Sequence, residues 1–272
     1  MFSRPVCTLL AGLAFLLAAT TTVVAQPILT EDWESLSAGP MPQGSWGAGT
    51  FSGQSPIGGV PEIVAATATG NRLELDANKN KAAANNSGND VFEQTFQSFN
   101  PVIQDSEDLL VRFDIEATDL TDMTAFDSSS RYYIAAIHSG GFDNARLLIR
   151  RDSGSTGFFL GITRTGCSSD PIDWAEDDQG NDILFPVGQV HRIVFGLTVD
   201  NGDQAARVWV DPQVASARTN PEAESAGGSA CAPTAREGVI FQHNFRGQFG
   251  EGTGQVQIDN VVVTTDFTDL LP

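Results

Sequence analysis

Asp114, Glu116 and Asp119 are the residues whose types and spacing come nearest to a catalytic set. Two carboxyl groups on one strand face can cleave a glycosidic bond, one attacking the sugar and the other donating a proton, provided they stand at close range. The two-residue period of a strand puts Arg112 on the face of Asp114 and Glu116. A guanidinium there holds a neighbouring carboxylate ionised, which disfavours an acid role. The plainer account is a solvated strand face with a cross-strand ion pair.

A second set suits recognition. Tyr133, His138, Arg150, Trp174, Gln242, Asn244 and Arg246 combine aromatic rings with hydrogen-bonding groups. A sugar needs both on one face. Between Gly238 and Arg246, Val239, Phe241, His243 and Phe245 oppose Ile240, Gln242, Asn244 and Arg246. The second row ends in three polar groups, as an exposed sheet face would. Trp46 and Trp174 fall in loop-like sequence, as a lid over the core or a ligand contact. Trp209 falls on a strand and reads as core. Taken singly, each of these residues is more simply core or surface; their convergence would change that.

The elements that must position these residues read as strands. His191 to Pro212 is a hairpin: alternating apolar positions from His191 to Val199, an Asn201-Gly202 turn suited to positive φ, a return strand from Ala205 to Val210, and Pro212 as the stop. Further strands are expected at Ile28 to Glu34, Pro61 to Ala66, Arg72 to Asp76, Val91 to Phe99, Asp108 to Thr118, Arg131 to His138, Asn144 to Arg151, Gly157 to Thr165, Gly238 to Arg246 and Gln255 to Thr264. Residues 35–59, 78–90 and 213–237 read as loops, Cys167 to Asp182 as an acidic insertion and Asp266 to Pro272 as a short tail. No segment keeps a capped helical period. The expectation is an all-β, two-sheet antiparallel sandwich with little or no helix.

Residues 1–25 read as a cleaved signal peptide: Arg4, then an apolar run from Leu9 to Ala19, then small residues ending at Ala25. The run is short for a membrane span, and no second apolar segment follows. Residues 26–272 then form one secreted domain, extracellular or periplasmic. Without Arg4 the chain holds 14 basic residues against 34 acidic ones, a net charge of −20. Such a surface repels phosphate backbones and anionic membranes, and it attracts divalent cations. Two cysteines remain, Cys167 and Cys231. In an exported chain the simplest state is one disulfide, which would stabilise the fold by roughly 2–5 kcal/mol.

The opening LTEDWESLSAG, the central HRIVFGLTVDNGDQAARVWVDP and the closing VQIDNVVV resemble secreted bacterial domains of the concanavalin A-like lectin/glucanase jelly-roll superfamily, in its laminin-G-like group. The resemblance spans most of residues 26–272 and implies a jelly-roll sandwich in which the first and last strands pair. It speaks to fold more than to activity. It implies structural Ca²⁺ where those strands meet, with Glu31 or Asp32 and Asp259 as ligands beside a carbonyl near Gly39; the equal alternative is that Asp259-Asn260 only hydrogen-bonds across the sheet. Glycanases of the fold carry Glu-x-Asp-x-x-Glu; here Asp114, Glu116 and Asp119 give Asp-x-Glu-x-x-Asp, with the types exchanged. Gln189-Val190-His191 and Arg72-Leu73-Glu74-Leu75 are similar to motifs of jelly-roll alginate lyases. The tyrosine those enzymes need is absent from Asn244 to Phe249, and Asp76 stands where a second arginine is expected. The expected function is a non-catalytic carbohydrate-binding or cell-surface interaction module, with a glycan or matrix component as partner. A divergent glycoside hydrolase and a purely structural extracellular protein are the alternatives.

Overall fold

The computed structural model describes residues 26–41, 44–48, 61–66, 70–76, 90–120, 133–139, 142–154, 156–164, 172–226, 235–246, 251–252 and 254–272. The leader at 1–25, Cys167 and Cys231 lie outside the described residues, as do the side chains of Asn244 and Arg246.

In chain order the strands are β1 (Leu29–Glu31), β2 (Gly39–Pro40), β3 (Gly47–Ala48), β4 (Glu62–Ala66), β5 (Gly70–Asp76), β6 (Asp90–Ile103), β7 (Leu109–Asp119), β8 (Tyr133–Ser139) and β9 (Phe142–Arg151). They continue as β10 (Gly157–Arg164), β11 (Asp173–Trp174), β12 (Phe185–Pro186), β13 (Val190–Asp200), β14 (Asp203–Val210), β15 (Ala223–Ser225), β16 (Arg236–Arg246), β17 (Glu251–Gly252) and β18 (Gln255–Thr264). Two short 3₁₀ turns, Ala215–Thr219 and Phe267–Leu270, are the helical pieces among the described residues. Sheet A runs β15-β14-β13-β7-β18-β5-β4-β2, with β1 also on β18; sheet B runs β11-β10-β9-β8-β16-β6-β3. All pairings are antiparallel, and the two sheets form a jelly-roll sandwich. As expected, the first strand meets the last, Thr30 opposite Val262.

Alternation assigns the faces. Along β7, Val111, Phe113 and Ile115 are buried while Arg112, Asp114 and Glu116 are half-buried on the outer face. Phe113 then meets Phe195 of β13 and, from sheet B, Phe241 of β16, at centroid separations of 6.0 and 5.5 Å. One core cluster therefore draws on both sheets. The β13–β14 turn takes the expected form: Asn201 and Gly202 have φ of 55° and 90°, and Asp200 pairs with Asp203.

Three expectations need correction. Trp46 is core: it is 2% exposed and packs on Trp33 and Phe241. Trp209 is core as expected, 1% exposed, in a second cluster on the outer face of sheet A. There it joins Leu110, Val194 and Val262 under Phe267 and Leu270, so the expected tail at Asp266–Pro272 is a strap. The stretch 213–237 is only partly loop: it supplies a 3₁₀ turn and β15, which extends the edge of sheet A.

Candidate functional site

Two polar surfaces collect the sequence-predicted residues, one on each sheet. On the outer face of sheet A a groove of about 380 Å³ is lined by Asp32, Glu34, Arg72, Asp114, Glu116, Val190, Gln257, Asp259 and Asn260. Strand register builds it. Arg192, Asp114 and Asp259 form one rung across β13, β7 and β18, and Val190, Glu116 and Gln257 form the next. Asp114 and Glu116 thus share a face, but both are engaged. Glu116 is ion-paired with Arg72, and the two Asp114 oxygens meet Arg192 at 3.3 Å and Asn260 Nδ2 at 2.9 Å. Asp119 sits beyond a bulge at Thr118, opposite Gln255 and outside the groove lining. Burial pushes the Asp259 carboxyl above the usual carboxylate range; the Asn260 amide and Arg72 pull it back only in part.

The proposed calcium ligands divide. Glu31 is engaged in the core: its oxygens accept from the Trp33 amide at 2.8 Å and from Trp46 Nε1 at 3.1 Å, pinning two core tryptophans. Asp32 and Asp259 do line the groove. Among the described residues no group of three or more His, Cys, Asp or Glu is arranged to hold a metal ion.

Sheet B gathers the predicted recognition residues. β8 brings Tyr133 and His138, β9 brings Arg150, β16 brings Gln242, and edge strand β11 lays Trp174 over Gly161 of β10. The Arg150 guanidinium lies 3.8 Å from the Trp174 ring centroid and 4.9 Å from that of Phe159, and it pairs with Asp182 at 2.5 Å. Beside this stack is a second knot. Asp143 Oδ2 accepts from Arg146 Nε at 2.7 Å, its Oδ1 stands 3.6 Å from His138 Nδ1, and Arg146 covers the Tyr133 ring at 4.5 Å. Burial alone would raise the Asp143 carboxyl; donors on His138, Arg146 and Tyr133 outweigh it and hold the group below its ordinary range. Burial, then Asp143, pushes the Tyr133 hydroxyl well above the usual tyrosine range.

This face is less open than the sequence pattern suggested. Gln242 is 1% exposed and Arg150 6%, so Gln242 is buried where it was expected to meet solvent. Two members of the knot, Asp143 and Arg146, escaped sequence reading. Their i,i+3 spacing on a strand carries no signal, and they meet His138 and Tyr133 only through the β8–β9 register. The lyase-like motifs do not converge. Arg72 lies on the outer face of sheet A, His191 points between the sheets onto Phe185 and Phe158, and Asn244 belongs to sheet B.

No family model matches the chain, and no curated protein does. Among solved structures, the alginate lyase from Klebsiella pneumoniae is similar over 76% of this chain and 85% of its own, at 9% identity and a TM-score of 0.47. An endo-acting O-glycanase of the human gut microbiota covers 88% of this chain and 99% of its own, at 11% identity and 0.49. The carbohydrate recognition domain of Emp47p covers 87% and 94%, at 12% identity and 0.45. At these identities and scores the likeness assigns no role to any residue of either surface.

Proposed function

We propose that the protein is a secreted, non-catalytic carbohydrate-binding module whose ligand lies over the outer face of sheet B, with Trp174 and Arg150 at one end and the Tyr133–Arg146 pair at the other. The observation that carries this reading is the assembly of Tyr133, His138, Asp143, Arg146 and Gln242 beside the Arg150–Trp174 stack, on a sheet face away from the core. Burying that many polar groups costs more stability than apolar residues of like size would. Buried polar clusters of this kind gather at functional sites. Flat donors suit the hydroxyls of sugar rings, and aromatic faces suit their C–H sides.

The same electrostatics argue against catalysis. Asp143 is held ionised and Tyr133 protonated, so neither is poised to exchange a proton near neutral pH. On sheet A, cations and an amide occupy the Asp114 and Glu116 carboxylates. Export rests on the leader pattern at residues 1–25.

A glycan array with residues 26–272 tests this reading. Binding that disappears in Trp174→Ala, with the β circular-dichroism signal retained, supports it. No binding to any glycan sinks it. Release of reducing ends from a β-glucan, lost in Glu116→Gln, would replace it with the hydrolase reading.

A further inference from the structure

We infer that the groove on sheet A is a second ligand site, built to take the hydroxyl groups of a neutral sugar. Two nearly buried groups face each other there as an ion pair without a hydrogen bond. Asp259, 8% exposed, accepts at Oδ1 from the Asn260 amide at 2.7 Å, while its Oδ2 stands 3.9 Å from Arg72 Nε. That is too long for a hydrogen bond. Arg72, 7% exposed, gives Nη1 to Glu116, and its Nε–H has no hydrogen-bond acceptor among the described residues. An acceptor and a donor are thus left across one gap. An oxygen about 2.8 Å from each would close a triangle over that gap. A hydroxyl can do this, accepting from Arg72 and donating to Asp259.

The lining carries five carboxylates against one guanidinium, so anions are excluded, and a cation is the competitor that Arg72 must turn away. A divalent cation or an ammonium would satisfy Asp259 but stand against the Arg72 guanidinium. An anion would suit Arg72 but face Asp32, Glu34, Asp114 and Glu116. A neutral polyol carries both halves of the required hydrogen bonding. Val190, 51% exposed on the groove wall, adds an apolar surface for the C–H side of a ring. The volume of about 380 Å³ lies within the usual range for small-molecule sites. This groove shares no residue with the sheet B surface and stands independently of it. With both occupied, one molecule would join two glycan segments through opposite faces.

The test is amide-shift NMR on isotope-labelled residues 26–272, titrated separately with maltose, cellobiose, lactose and calcium chloride. At least one disaccharide is expected to shift the Asn260 amide saturably. Its affinity should fall about tenfold in Asp259→Asn and in Val190→Asp; the second is an exposed site that leaves folding intact. The affinity should be unchanged in Trp174→Ala, which perturbs only sheet B. The inference is overturned if none of the three sugars moves Asn260, if the shift vanishes in Trp174→Ala, or if calcium alone saturates it. Failure of the sheet B reading would leave the Asn260 shifts in place.

Discussion

Arg150 is held between two partners of different kinds: its guanidinium carbon stands 3.8 Å from the ring centroid of Trp174, and its Nη2 meets Asp182 at 2.5 Å. Both partners belong to the segment that runs from β11 to β12 along the edge of sheet B, and Ala175 in that segment bonds back to Leu160 of β10. The arginine thereby fixes the indole that the proposed ligand would meet.

Trp174→Ala and Arg150→Ala are each expected to weaken glycan binding by about tenfold or more. Asp182→Ala should do less, because its carboxylate is 40% exposed and solvent takes over part of its role. Titration calorimetry with the best array ligand measures all three. Equal losses in the three variants would mean that the ion pair, and not the stack, positions the ring.

Arg236 is 0% exposed and donates to the carbonyls of Gln104, Asp105 and Glu107, so it clasps the turn between β6 and β7. Arg236→Met should cost about 3–5 kcal/mol by leaving buried carbonyls without donors. A urea titration reads this as a lower midpoint at an unchanged slope.

Deleting residues 266–272 removes Phe267 and Leu270 from Trp209, Val194, Leu110 and Val262. The lost burial is worth about 3–6 kcal/mol for two large apolar side chains. Trp209 emission should shift to the red, and the truncated protein should bind a hydrophobic dye. An unchanged spectrum would show that the strap does not cover Trp209 in solution.

Acid should destabilise the fold in two stages. Burial pulls the His191 imidazole below its ordinary range, and Asp211 offsets this only in part. The unfolded chain therefore protonates first. The histidine contribution is intact above pH ~6.5 and declines as pH falls through the unfolded value toward the folded one. The Asp143 carboxyl is also depressed when folded, so its contribution is intact above pH ~3.9 and is lost on further acidification. Melting temperatures measured across pH should show the first stage flattened in His191→Phe and the second flattened in Asp143→Asn.

Much of this molecule is written locally. The alternation of Val111, Phe113 and Ile115 with Arg112, Asp114 and Glu116 assigns β7 its two faces, and Asn201-Gly202 sets its turn through permitted φ alone. These are properties of a few adjacent residues, and the sequence by itself determined them, along with the all-β class. The sites belong to the tertiary structure. Arg72 reaches Glu116 across 44 residues, and Asp259 stands opposite Asp114 because β18 inserts between β7 and β5. Asp143 and Arg146 become partners of His138 and Tyr133 only in the β8–β9 register, and Gln242 is buried on a row whose pattern reads as exposed. Side-chain period tells which way a residue points. Strand order and register decide what it meets there, and those follow from the packing of the whole sandwich.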